Sequence, residues 1–230
     1  MIEKEREANK HVESFGIGFW IRVQFSAPPP IIFDFRLQIA DFADLTIIMS
    51  STTLMTAEEL IALPSGQHRY ELVKGELLTM SPSGEEHGRL SATIAYLLTN
   101  FVRVNSLGVV YGAETGFKLE TDPDTVLAPD AAFISTGRVG SAAQGYRSGP
   151  PDLAVEIISP SERKSKVEQK TNQWLSFGAR AVWLIYPQNR TVEIVFANGQ
   201  RTLFTESDEL VDDVVVKGFR VLVAEIFSQL

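Results

Sequence analysis

The sequence contains no cysteine among its 230 residues. This absence excludes disulfide bonds, thiolate metal sites and a cysteine nucleophile, and it is compatible with a reducing cytoplasm, the location that we predict. No run of about 18 uncharged apolar residues occurs, so no membrane-spanning helix and no membrane partner is predicted. Positive charge is also scarce, with 21 Lys and Arg against 29 Asp and Glu and a formal net charge of −8. A nucleic acid would therefore have to bind through a local basic patch or bridging metal ions, because the overall field repels it.

The first 48 residues differ in character from the rest of the chain. They combine a charged opening, three prolines at 28–30 and a phenylalanine-containing stretch at 31–35, without a continuous helical or strand period. We therefore predict that residues 1–48 are an extension and that the domain occupies residues 49–230. The alternative is a genuine N-terminal strand or helix pair that packs on the domain.

Beyond Met49, the hydrophobic periodicity predicts helices alternating with strands. Thr56 to Glu59 fits a capping box before a short helix, and Lys74-Gly75 fits the turn of a hairpin over residues 70–80. Further helices are predicted at 85–105 and 161–177, and strands at 109–120, 126–135, 152–159, 181–186, 191–196 and 201–205. This order predicts the α/β class, with a mixed β-sheet flanked by helices.

Two carboxylates occupy strands that are otherwise apolar. Glu156 lies in the middle of Asp152–Ser159, which reads as a central strand buried on both faces, and Asp130 lies near the start of another apolar strand. A buried ionised carboxylate is costly unless it is paired or binds a metal. If the strands are neighbours, the two residues form an oxygen site suited to magnesium or manganese. The alternatives are an arginine partner for Glu156 and a turn role for Asp130.

Three other side chains are candidates for the same site. Lys170 flanks the inward helical stripe of Val167, Thr171 and Trp174, from which its ammonium could reach the carboxylates or extend into water. His87 lies in the first turn of its helix, where it suits either core packing or phosphate contact. Glu71 alternates along its strand with apolar neighbours and is either functional or a hairpin charge.

The order and spacing of several short motifs resemble the Uma-type restriction-endonuclease family, within the PD-(D/E)XK nuclease superfamily. The resemblance runs from about Thr56 to Phe227. Its matching stretches are Tyr70–Leu77 (YELVKGEL), Met80–Pro82 with His87, Pro129-Asp130, Pro151–Ser161 (PDLAVEIISPS), Lys170, Trp183–Pro187 (WLIYP), Lys217–Phe219 and Ile226-Phe227. The chain departs from the superfamily pattern at position 158, where a lysine is expected two residues after the second acid and Ile158 stands instead.

The resemblance implies a restriction-endonuclease-like core in which Asp130 and Glu156 are metal ligands and the lysine role has moved to Lys170. The implied function is a metal-dependent endonuclease that hydrolyses DNA phosphodiester bonds with Mg or Mn, with Glu71 and His87 as further catalytic candidates. The alternatives are a catalytically weak or inactive nucleic-acid-binding or assembly module of the same fold, and a nuclease that acts on RNA. A homodimer is compatible with this function, because cutting both strands requires two sites.

Overall fold

A computed structural model describes residues 11–15, 18–24, 32–37, 47–64, 68–141 and 144–228 of the chain. Its elements in chain order are β1 (His11–Phe15), β2 (Gly18–Gln24), β3 (Ile32–Leu37), β4 (Ile47–Thr52), α1 (Ala57–Ile61), β5 (Arg69–Val73), β6 (Glu76–Met80), α2 (Glu85–Val104), β7 (Gly108–Gly112), β8 (Phe117–Glu120), β9 (Thr125–Leu127), β10 (Ala131–Ser135), β11 (Arg147–Ser148), β12 (Leu153–Ile157), α3 (Lys164–Ser176), β13 (Ala181–Tyr186), β14 (Thr191–Phe196), β15 (Arg201–Phe204), β16 (Glu209–Asp212), β17 (Phe219–Leu222) and α4 (Val223–Ile226).

Strands β1 to β4 pair consecutively into an antiparallel four-stranded sheet. The last of them, Ile47–Thr52, spans the boundary proposed at Met49. The division of the chain into residues 1–48 and 49–230 therefore stays a prediction, which stability measurements on a chain beginning at Met49 would test.

A six-stranded mixed sheet in the order β15-β14-β13-β12-β10-β7 forms the centre of the fold. Strands β12 and β13 are parallel, and the other neighbouring strands are antiparallel. One face packs against α2, α4 and the β16–β17 pair, around Trp183 and Phe219. The other face packs against α3 and against a second sheet of order β11-β8-β9-β5-β6, around Trp174 and Phe117. The predicted α/β class is confirmed.

Several local predictions are confirmed for simple physical reasons. The Thr56 side chain accepts a hydrogen bond from the Glu59 amide, and the Glu59 carboxylate accepts one from the Thr56 amide, which completes the capping box. Lys74 and Gly75 both have positive φ, at 50° and 77°, as a tight two-residue hairpin turn requires. Helix α3 ends at Ser176, one residue before the predicted end at 177, and Gly178 follows at φ 106°, a conformation that glycine adopts without strain.

Two strand predictions were wrong, because each of the predicted segments is two strands in different sheets. Residues 109–120 divide into β7 and β8 at a turn that contains Glu114, with φ 67°. Residues 126–135 divide into β9 and β10 at Ala128-Pro129-Asp130, where Pro129 has no amide hydrogen to continue a ladder. The second break places Asp130 between the two sheets.

Asp152, directly before β12, ties the central sheet to the loop that follows β10. Its carboxylate accepts hydrogen bonds from the Ser135 amide at 2.8 Å, the Ser135 hydroxyl at 2.9 Å and Arg138 Nη1 at 2.8 Å. Burial alone would raise the pKa of Asp152, but these donors outweigh it and hold the pKa below its usual value near 3.8. Asp152 is therefore a structural carboxylate that is ionised at neutral pH.

We expect Asp152→Ala to lower the free energy of unfolding by about 2 kcal/mol, because it removes the three hydrogen bonds that this buried carboxylate accepts from Ser135 and Arg138. Urea unfolding at neutral pH measures this loss. Because the folded-state pKa of Asp152 is depressed, its stabilisation should be fully present above about pH 4 and disappear as the pH falls through the folded-state pKa. The exposed pair of Asp213 with Arg220 supplies the control, and Asp213→Asn should cost less than about 1 kcal/mol. Equal losses in the two variants would contradict the structural role of Asp152.

Candidate active site

Asp130 is held against the central strand β12 by its backbone and its side chain together. Its amide donates to the Val155 carbonyl at 2.9 Å, and its Oδ2 accepts from the Ile157 amide at 2.8 Å. Strands β10 and β12 are antiparallel neighbours, with Ala131 opposite Val155. The condition under which Asp130 and Glu156 were predicted to approach each other is therefore met.

Glu156 is buried in the middle of β12 and points toward α3. Residues alternate between the two faces of a strand, so Val155 and Ile157 join the opposite core while Glu156 faces the helix. Two donors from α3 meet its carboxylate: Trp174 Nε1 donates to Oε1 at 2.7 Å, and Lys170 Nζ donates to Oε2 at 3.1 Å. Both oxygens of Glu156 thus have a fixed orientation.

Lys170 bridges carboxylates that belong to different sheets. Besides its bond to Glu156, Lys170 Nζ lies 3.1 Å from Oε1 of Glu71, on β5. The same Glu71 oxygen accepts a hydrogen bond from the Ala128 amide at 3.0 Å. At position 158, where the superfamily pattern expects a lysine, Ile158 is buried in the core. The ammonium near Glu156 therefore comes from the helix rather than from the strand.

His87, in the first turn of α2, reaches the other carboxylate. Its Nε2 lies 3.2 Å from Asp130 Oδ2. One helical turn later, the Ser91 hydroxyl donates to the Asp130 backbone carbonyl at 3.1 Å. Helix α2 therefore holds both the side chain and the main chain of Asp130, and His87 faces Asp130 rather than the hydrophobic core.

These side chains surround a cleft of about 390 Å³. Asp130, Glu156, Lys170 and His87 line it, together with the Ser81–Gly84 segment and the Ser159-Pro160 turn. Glu71 is not among the lining residues. It is only 4% exposed and lies behind Lys170, so its contacts suit it to orienting the lysine rather than to meeting a ligand in the cleft.

The charges in the cluster strongly influence one another. Burial raises the pKa of Glu156 to about 7, where Lys170 opposes the shift and the carboxylates of Asp130 and Glu71 add to it. Burial also disfavours the charged form of Lys170, but Glu156 and Glu71 outweigh it and hold the pKa of the ammonium above 10.5. Burial would raise the pKa of Asp130, yet His87 and the Ile157 amide keep it below 3.8. At neutral pH the site therefore contains the Lys170 ammonium as a cation and the Asp130 carboxylate as an anion.

Two members of the site were missed from the sequence. Trp174 was assigned only to the inward stripe of its helix, and Arg69 was not considered. A signal for Trp174 did exist, because a buried indole N–H normally has an acceptor and Trp174 lies one turn beyond Lys170. Arg69 precedes the predicted hairpin, where nothing in the local pattern indicates that it turns toward Asp130.

The donor set suits a hard divalent cation that is held by few protein ligands. Over the described residues, no group of three or more His, Cys, Asp or Glu side chains is arranged to hold a metal ion. Asp130 and Glu156 nevertheless contribute carboxylates to the lining of the cleft, and Asp130 Oδ1 lies 3.7 Å from Arg69 Nη2. Magnesium is commonly bound by one or two carboxylates with water and substrate phosphate completing its shell. The residues therefore fit such an ion, and a cage of three protein ligands is not required.

Comparison with known families places this geometry in context. Residues 57–224 match the model of the Uma2 family, described as "putative restriction endonuclease". The chain belongs to the Uma2 family. The match covers every element from α1 to β17, including all five residues predicted for the site, and it confirms the resemblance drawn from the motifs.

A solved structure has the same fold as this Uma2 member. It is the crystal structure of a protein from Anabaena variabilis that is described as a putative nuclease belonging to DUF820. The two share 21% sequence identity with a TM-score of 0.64, over 76% of this chain and 98% of the other. Comparison with curated proteins gives no match. Within the described residues, no helix has the length and apolar character needed to cross a membrane.

Proposed function

We propose that this Uma2-family protein is a metal-dependent endonuclease that hydrolyses phosphodiester bonds of DNA. The observation that carries the proposal is the convergence of Asp130, Glu156 and Lys170 in the lining of one cleft, although they come from different elements. Two acids and a lysine in one cleft are the groups that metal-assisted phosphate hydrolysis uses. Family membership supports a nuclease, and the proposal adds the metal and the substrate.

Asp130 and Glu156 would hold Mg or Mn through one carboxylate each. When bound, the ion supplies Lewis-acid activation of water and of a phosphate oxygen. The hydrogen bonds from the Ile157 amide to Asp130 and from Trp174 to Glu156 fix both carboxylates before the ion arrives. Such fixed orientation of the ligands by their own partners is a common requirement of metal sites.

Lys170 is the group proposed to offset the negative charge that develops on the phosphate during cleavage. Its ammonium is held between Glu71 and Glu156, each 3.1 Å away, and Lys170 lines the cleft. A charge that is already oriented costs no reorganisation during the reaction. His87 lines the same cleft beside Asp130, and we propose that it orients that carboxylate.

The decisive test is nicking of supercoiled plasmid DNA in the presence of magnesium or manganese. We expect the wild type to produce nicked product and the Glu156→Gln variant to lose it, because glutamine keeps the shape of the side chain but not the ligand charge. EDTA should stop the wild-type reaction. Glu209→Gln is a matched control, since Glu209 is exposed and does not line the cleft, and it should cleave as the wild type does.

The reaction should be repeated with a single-stranded RNA in place of the plasmid. Cleavage of the RNA but not of the plasmid would show that the substrate is RNA rather than DNA. DNA binding without cleavage of either substrate, at any tested concentration of the two metals, would instead support a non-catalytic binding module.

A further inference from the structure

Arg69 lies where three cavities of the described structure meet. It lines the active-site cleft, a groove of about 600 Å³ beside α2 and β7, and a mainly apolar pocket of about 230 Å³ next to α1. We call the second cavity the α2 groove. Its walls include Gly88, Ser91, Ala92, Ala95, Gly112 and Ala113. The α2 groove shares Arg69, His87 and Asp130 with the active-site cleft, so the two are adjoining spaces.

The guanidinium of Arg69 is held loosely by its present partners. Nη1 donates to the Ser83 hydroxyl at 3.0 Å, whereas the carboxylate oxygens of Glu114 and Asp130 lie 3.5 and 3.7 Å away. Charge-assisted bonds between nitrogen and a carboxylate are normally about 2.7–2.9 Å long. Glu114 is also largely exposed, at 68%, so water screens its attraction. Arg69 can therefore exchange these contacts for an anionic ligand at small cost.

The charge around these cavities gives Arg69 a particular importance for a polyanion. Among the described residues that line the α2 groove and the apolar pocket, Arg69 is the one lysine or arginine. The adjoining cleft carries the carboxylates of Asp130 and Glu156. A nucleic-acid strand in the cleft meets Lys170, and where it extends into the α2 groove the guanidinium of Arg69 is the one lysine or arginine charge in the described lining.

We propose that Arg69 binds a backbone phosphate next to the scissile one and directs the substrate strand from the active-site cleft into the α2 groove. The planar fork of arginine can give a phosphate two parallel hydrogen bonds. The small side chains of the α2 groove leave room for a sugar-phosphate backbone beside that contact. This inference rests on the proposed nuclease function and assigns Arg69 a direct contact with the substrate.

The experiment measures binding separately from cleavage. A fluorescein-labelled DNA 20-mer, single-stranded and duplex, is titrated with Arg69→Gln, Arg69→Lys and wild type in EDTA at several NaCl concentrations, with fluorescence anisotropy as the readout. We expect R69Q to raise Kd by about tenfold. In R69Q the negative slope of log K against log salt should become shallower by about 0.7 for the single strand and about 0.9 for the duplex, because one phosphate contact is removed. R69K should keep the slope but raise Kd by a few fold, since it keeps the charge and loses the fork.

Arg103→Gln is the matched control, because it removes one exposed arginine from the same protein without touching any of the three cavities. A Kd and a salt slope for R69Q equal to those of this control would overturn the proposal. If the circular-dichroism spectrum shows that R69Q is unfolded, R69K is compared with the wild type instead. Wild-type affinity for DNA in R69K would then overturn the proposal.

The two hypotheses fail in different ways. If wild type binds DNA through Arg69 but nicks no plasmid with either metal, the nuclease function is wrong and the phosphate contact stands. If R69Q binds and cleaves as the wild type does, the function stands and the role of Arg69 is wrong.

Discussion

Lys170→Met is expected to lower the rate of DNA cleavage by about 10²–10³-fold, which is the usual effect of removing one preorganised charge donor. The ammonium lies 3.1 Å from both Glu71 and Glu156 in the lining of the cleft, and methionine gives an unbranched side chain that is one atom shorter and uncharged. Affinity for DNA should fall much less, because one phosphate contact is a small part of the total. Single-turnover kinetics with magnesium, together with anisotropy titrations, separates the two quantities.

The same variant should also be less stable. Removing Lys170 leaves two buried carboxylates without their shared cation, and breaking a buried ion pair costs on the order of 3 kcal/mol. Kinetics are therefore measured well below the melting temperature of the variant. Lys166→Met is the matched control, because Lys166 is on the same helix and exposed, and it should change neither rate nor stability appreciably.

Lys170→Arg should restore the charge but little of the rate, since the planar guanidinium does not reproduce a compact ammonium between two carboxylates. Full cleavage activity in Lys170→Met would remove the lysine from the mechanism. The charge on the phosphate would then have to be offset by the metal alone.

Asp130→Asn is expected to weaken magnesium binding by at least about 100-fold, because even partners one step removed from a metal typically change its affinity by 10–100-fold. The cleavage rate should fall by about 10³-fold, in line with the several kcal/mol that a metal contributes to such a transition state. The fold should survive, because the asparagine carbonyl can still accept the hydrogen bond from the Ile157 amide at the position of Oδ2.

Isothermal titration calorimetry with magnesium and manganese measures the first effect, and plasmid nicking measures the second. Asp213→Asn removes an equal charge from an exposed pair with Arg220 and should bind metal as the wild type does. Undiminished metal binding in Asp130→Asn would take Asp130 out of the metal site. We predict that magnesium or manganese is preferred over zinc at this site, because both proposed ligands are carboxylates.

Much of the local structure could be predicted because its causes are local. The capping box at Thr56 and Glu59 and the turn at Lys74-Gly75 depend on residues that are adjacent or three apart. The hydrophobic periodicity that predicted a helix over residues 85–105 implies one buried face, and Leu90, Ile94 and Leu98 on that face of α2 are each at most 1% exposed. A carboxylate inside an apolar strand was likewise visible as an anomaly, since burial without a partner is too costly for Glu156.

Strand boundaries were less predictable where the chain passes from one sheet to the other. Residues 126–135 are apolar almost throughout, and the period alone could not show that Pro129 ends one strand and lets the next begin in another sheet. Pairing partners decide this, and they lie far away in the chain: Val126 pairs with Leu72, whereas Ala131 pairs with Val155.

The sequence by itself determined the helices and hairpin, the buried strand that carries Glu156 and, through motif order, the family. Only the tertiary structure decided which groups meet. Glu71 proved to be a partner of Lys170 rather than a residue of the cleft wall, Trp174 to donate to Glu156, and Arg69 to face Asp130. The physical reason is that periodicity specifies which face of an element is buried, while hydrogen bonds and ion pairs between distant segments depend on how the elements pack.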